Sequence, residues 1–370
     1  MNERGISRIT VRLLIVALMV VVAIGFSSIM DDRGGVSSVK QLTPKEIEES
    51  NNDVYVVATM KDEIKTNSAW CATFQLVWND LQDEFVGGKV EFNESVPMAD
   101  NLNLQEFKEE DISDEYYYKK WGAMTPSLKE EIEREIKAKF NENSDILDRF
   151  DWEERGERYF FYAMLRRNFE FEKEFKILDK KNFKDIENVE YFGVRSGENS
   201  VYEKQVDVLY YNDENDFAVR LDTKNGDQVI LARRIEANNF EEIYKEINER
   251  TDKFEGNKKL ANVDTLSIPN LNMDLFREYR EIIGKPFKTK DGDSAEIEKA
   301  LQTIQMELNN KGGSIKSEAA MSVTKGIAFT QDEPRNFDFN NDFVIFLKEE
   351  SKELPYFAAQ ICNLNLFLKK

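Results

Sequence analysis

Histidine is absent from all 370 residues. That absence removes the side chain that titrates near neutral pH, and with it Ser-His-Asp catalysis, Cys-His catalysis and His-ligated zinc. Cysteine is nearly absent: Cys71 and Cys362 stand far apart, so there is no C-x-x-C redox or metal motif. An oxidising compartment would favour their pairing, and two separate buried thiols is the alternative. Positive charge is in deficit, 51 Lys and Arg against 71 Asp and Glu, a formal net charge of −20. No dense basic stripe broken by aromatics occurs, which argues against a nucleic-acid partner, since phosphate neutralisation needs clustered positive charge. Cationic partners or simple solubility fit better. Glycine-rich phosphate loops and nucleophile elbows are missing as well. The expectation is a protein that is not an enzyme and uses neither metal nor cofactor.

Carboxylate clusters are present, as in Asp213, Glu214 and Asp216, or Asp291 and Asp293. Neither fits a calcium loop. After Asp291 the sixth position is Glu296 where the loop needs Gly, and the twelfth is Gln302 where it needs Glu. They read as solvated turns.

What is present begins at the N-terminus. Residues 13–29 form an uncharged, mostly apolar run behind Arg4, Arg8 and Arg12 and ahead of Asp31, Asp32 and Arg33. That layout predicts a signal anchor just long enough to span a bilayer, with the domain outside the cytoplasm, or secreted if the run is cleaved. The expected organisation is a membrane segment over 1–30, a polar linker over 31–52 and one large domain over 53–370.

Along that domain the periodicity alternates between helix and strand. Trp70, Phe74, Val77, Trp78 and Leu81 predict a buried helix. Ser127 with Glu130 makes a capping-box signature before Leu128, Ile132, Ile136 and Phe140, and Asn239 with Glu242 precedes Phe240, Ile243 and Ile247. Phe217, Val219 and Leu221 alternate with Ala218, Arg220 and Asp222, and after Asn225-Gly226 comes Val229-Ile230-Leu231, a hairpin signal. Two short apolar runs, Phe343–Leu347 and Phe357–Cys362, predict a second hairpin. Separated helices among strands indicate an α+β fold.

One segment divides by parity. From Gly312 to Thr324, Gly313, Ile315, Ser317, Ala319, Met321 and Val323 are small or apolar, while Ser314, Lys316, Glu318, Ser322 and Thr324 are polar, with Ala320 the exception. This is the pattern of a strand with one face on a core, entered through a flexible double glycine. The stretch 325–336 then reads as an exposed loop.

These residues resemble the serpin family. Leu308-Asn309-Asn310-Lys311-Gly312 is similar to the hinge that ends a central strand, and Ser317-Glu318-Ala319-Ala320 to the small-residue stretch after it. Phe339 to Leu347 is similar to the return strand and Tyr356 to Asn363 to the last strand. Upstream, Tyr162–Phe175, Val208–Tyr211 with Phe217–Leu221, and Val263–Pro269 followed by a helical stretch and Ile283-Gly284 resemble further elements, so the likeness covers roughly 150–370. The sequence departs in lacking a Ser-Pro-x-Ser motif near Asn67–Cys71, in Tyr162 and Asn310 where the family has Asn and Glu, and in Ile315, Lys316 and Glu318.

The resemblance implies a large mixed or antiparallel central sheet with additional sheets and surrounding helices. It also implies a suicide inhibitor of a serine- or cysteine-type protease, whose cut bait loop enters the central sheet as a new strand. Asn310, Gly312, Gly313, Ile315, Ser317, Ala319, Ala320 and Met321 are then the hinge and inserting residues. Counting from the hinge places the scissile bond at Gly326-Ile327 beside Lys325, and counting back from Phe339 places it near Gln331. The alternative is a non-inhibitory surface binding or structural module of the same fold.

Overall fold

The computed structural model describes residues 13–24, 54–144, 146–153, 156–312 and 333–368. A large six-stranded sheet runs in the order β14 (Leu271–Glu278), β16 (Ser294–Leu308), β1 (Leu13–Ile24), β5 (Arg158–Arg166) and β4 (Tyr117–Ala123), with β15 (Pro286–Lys288) pairing one end of β16. A second sheet is β10 (Val206–Asp213), β11 (Asp216–Asp222), β12 (Asp227–Arg233), β18 (Phe343–Glu349), β19 (Pro355–Ile361), β3 (Ser68–Cys71) and β2 (Tyr55–Val57). A third is β17 (Asn336–Asp338), β13 (Thr265–Pro269), β9 (Tyr191–Val194) and β6 (Lys176–Ile177), and β7 (Lys181–Phe183) pairs β8 (Ile186–Val189). With helices packed among four sheets of unequal size, the described residues have the α+β arrangement that the sequence predicts.

The core follows from composition. α1 (Thr73–Asp80) is buried along its whole length and packs across β1 and β5. Its polar side chains are satisfied internally: Gln75 donates to the Leu102 carbonyl at 2.7 Å and Asn79 to the Phe107 carbonyl at 2.9 Å. β5 is covered on both faces, Phe161, Ala163 and Leu165 in the main core and Phe160, Tyr162 and Met164 in a smaller one. The smaller core lies beneath Leu128, Ile132 and Ile136 of α3 (Pro126–Phe140), which follows the short α2 (Pro97–Leu102). Two-sided burial explains the unbroken apolar run in β5. α4 (Phe240–Lys253) begins at Asn239, whose side chain accepts from the Glu242 amide at 2.9 Å, as its sequence predicts. Both predicted hairpins form, β11–β12 and β18–β19.

Four expectations are corrected. The membrane-spanning helix over 13–29 is not found: Leu13–Ile24 is a strand, and 25–29 lie outside the described residues. No described helix is long and apolar enough to cross a membrane. A continuous apolar run rich in Val and Ile is also the pattern of a strand inside a parallel ladder, and β1 runs parallel to both neighbours. The helix predicted from Trp70 begins at Thr73, because Trp70 and Cys71 pair with β19 as a strand. α3 is capped by Thr125, whose hydroxyl accepts from the Leu128 amide at 3.2 Å with Pro126 in the first turn, so Ser127 lies inside the helix. The helical stretch expected after Pro269 is the strand β14, in which Leu271, Met273 and Leu275 are buried at every second position.

Candidate functional site: a hinge at the mouth of the central sheet

β16 ends at Leu308 and turns at Asn309–Gly312. The Asn309 side chain accepts from the Lys311 amide at 2.9 Å, and the Gly312 amide donates to the Asn309 carbonyl at 3.2 Å. The turn rests on the segment that leaves β5. Phe171 N–H donates to the Lys311 carbonyl at 3.1 Å, and Phe175 N–H donates to the Asn310 carbonyl at 2.8 Å. Gly312 has φ of +97°, and a Cβ there would stand 2.7 Å from the Phe169 carbonyl oxygen and 2.8 Å from the Phe171 nitrogen. Only glycine suits that conformation and that close approach. The Asn310 side-chain amide adds a long bond, 3.4 Å, to the Phe175 carbonyl. The hinge is therefore held chiefly by backbone.

Beyond residue 332 the chain is held by charge. Arg335 donates to Asp264 through its backbone N–H at 2.9 Å, Nε at 3.1 Å and Nη2 at 2.7 Å, and to the carbonyls of Asn257 and Lys259 at 2.7 and 2.6 Å. Asp264 is fully buried. β17 then pairs in parallel with β13, and the Phe339 amide reaches the Ser267 carbonyl at 2.9 Å.

Between the hinge and the second sheet lies a buried ionic cluster that sequence reasoning missed. Arg167, directly after β5, is ion-paired with Asp227 at the start of β12, and its Nη1 lies 2.9 Å from Glu349 at the end of β18. The Tyr356 hydroxyl donates to Asp227 at 3.0 Å, and the guanidinium lies 3.6 Å from the Tyr116 ring centroid. Ser113 donates to both Glu349 oxygens, at 2.8 and 2.5 Å. One guanidinium serves two carboxylates. Burial pushes Asp227 up to about 6, with Arg167 and Tyr356 pulling the other way and Glu349 adding to the rise. In the sequence Asp227 follows a hairpin Asn-Gly and reads as a turn residue. The available signal was Tyr356, a phenol in a mostly apolar strand, which needs a polar partner when buried.

Of the predicted site residues, Asn310 and Gly312 lie in this turn. Gly313, Ile315, Ser317, Ala319, Ala320, Met321, Lys325, Gly326, Ile327 and Gln331 lie outside the described residues. Cys71 and Cys362 are both free thiols, and burial raises them to about 12 and about 11. Asp216, from one acidic cluster, is paired with Arg250 at 2.5 Å.

No protein-family model matches the chain, and no curated protein matches it. Solved structures do superpose in part. Serpin48 of the insect Tenebrio molitor shares 12% identity, with 81% of this chain and 75% of that one covered at a TM-score of 0.40. Tengpin, a thermophilic serpin, shares 16% identity over 81% and 73% at 0.42, and serpin-12 of Manduca sexta 11% over 83% and 95% at 0.48.

Proposed function

We propose that this protein is an extracytoplasmic protease inhibitor whose bait segment, within residues 313–332, is cut by the target and then enters the large sheet. The observation that carries this reading is the position of Gly312. It sits at the end of β16, on a turn pinned mostly by backbone bonds, and leads into a stretch whose parity suits a one-faced strand. A strand of about a dozen residues adds hydrogen bonds worth on the order of 1 kcal/mol each, together with buried side chains. That release can drive a large rearrangement.

The test is to incubate the full chain with trypsin-like and subtilisin-like proteases and to look on denaturing gels for a covalent complex. Melting temperatures are compared before and after cleavage within 313–332. A stable complex, or a large rise in melting temperature on cutting, is the expected result. Clean cleavage with neither would leave a binding module that does not inhibit. One observation favours that second reading: β1 already lies beside β16, along the edge a returning strand would use.

A further inference from the structure

We infer that Leu13–Ile24 is a built-in occupant of the insertion slot, which keeps the segment after Gly312 out of the large sheet until β1 is displaced. The inference rests on the inserting-segment reading above and adds its control. β16 has two edges. β14 takes one, from Leu271 opposite Leu308 to Glu278 opposite Leu301, and β1 takes the other, from Leu13 opposite Ser294 to Ile24 opposite Met306. A chain that turns back after Leu308 must run antiparallel to β16 along one of these edges. Both are filled, so occupancy by β1 and entry of the bait segment exclude each other.

The geometry of β1 suits a provisional tenant. It joins β16 and β5 in parallel on both sides, and its register with β16 slips between Val16 and Ala17. Parallel pairing is slightly less stable per residue than antiparallel pairing, so a strand arriving from the hinge gains the better ladder along the same edge. Residues 25–53 connect β1 to the rest of the chain. At up to about 3.3 Å per residue, that length lets β1 leave without moving any other strand. Cleavage of the segment, or its transfer into a bilayer, would equally open the slot. The same residues cannot span a membrane while paired with β5 and β16.

The experiment uses the full chain, wild type and Val20→Pro. Val20 stands opposite Gln302 on one side and Ala163 on the other, where a missing N–H breaks the ladder. The probe is a fluorescein-labelled synthetic peptide of residues 313–324, followed by anisotropy and by the melting temperature of the peptide-bound protein. Amide hydrogen exchange of residues 13–24 is measured on the wild type alone. Expected are amides protected as well as those of β5, and peptide uptake stronger in Val20→Pro by about tenfold or more, since apparent affinity scales with the fraction of open slot. Equal uptake by both chains overturns the occupant and leaves insertion standing. Rapid exchange over 13–24 in the wild type overturns it even if Val20→Pro fails to fold. Uptake by neither chain, with no rise in melting temperature after cleavage within 313–332, overturns insertion and the occupant together.

Discussion

The two ends of the segment between Gly312 and Arg335 are held by different physics. At the hinge the bonds to the segment after β5 are backbone to backbone, with one weak side-chain addition from Asn310, and the Asn309 side chain braces only the turn itself. At the far end a guanidinium donates through two nitrogens to one oxygen of a carboxylate that no water reaches, and to two carbonyls beside it. Backbone bonds can be exchanged for other backbone bonds at little cost, whereas a buried ion cannot lose its partner cheaply. After a cut between them, the hinge end is therefore the one free to move and the Arg335 end the one that stays on the third sheet. This asymmetry suits the proposed mechanism, in which one product end enters the large sheet while the other remains in place.

The sharpest way to break the comparison is Arg335→Ala. It leaves Asp264 buried without its cation, a loss of about 3–5 kcal/mol, read as a lowered urea midpoint with the slope unchanged. Arg335→Lys should recover only part, since one ammonium cannot reproduce the fork. A loss below about 1 kcal/mol would make this end no firmer than the hinge. The next effect is one of pH. Asp227 holds its proton more tightly in the folded chain than in the unfolded one. Its stabilising contribution is thus complete below about pH 4 and is lost as pH rises through about 6, on the order of 3 kcal/mol. Unfolding free energies at intervals across that window should fall with pH in the wild type and flatten in Asp227→Asn. An unchanged slope in the variant would remove Asp227 as the cause.

How much of this was legible in the sequence depends on how local the pairing is. The hairpins around Asn225-Gly226 and between Phe343 and Cys362 could be read because each strand's partner lies next to it in the chain. The Asn239 cap could be read because a cap is a four-residue matter. The place of Leu13–Ile24 could not. An unbroken apolar run satisfies its backbone groups equally well as a membrane helix or inside a parallel sheet, and only partners more than a hundred residues away decide between them. The same distance hid the Arg167 cluster, whose members come from β12, β18, β19 and the exit of β5. β14 was different, since the alternation of Leu271, Met273 and Leu275 was available and argued for a strand. At the hinge, sequence order picked out Asn310 and Gly312 but not what they touch.

The two hinge residues give the smaller effects and sharpen the comparison most. Gly312→Ala forces a Cβ against the Phe169 carbonyl at a positive φ, a cost of about 1–3 kcal/mol. The loss should appear in the melting temperature of the intact chain. Once the segment is cut and has left the turn, the same substitution should cost much less, because the strained conformation is no longer required. Asn310→Ala should be the mildest, below about 1 kcal/mol, since a 3.4 Å bond to a carbonyl at a half-buried site contributes little. Its value lies in the direction of any kinetic effect. The Asn310 carbonyl, not its side chain, receives the Phe175 amide, so removing the side chain leaves the backbone pins in place. The rate at which the cut chain gains stability should then match the wild type. A large change in that rate would mean that the side chain governs departure from the turn, and the hinge would resemble the Arg335 end more closely than its bonds suggest.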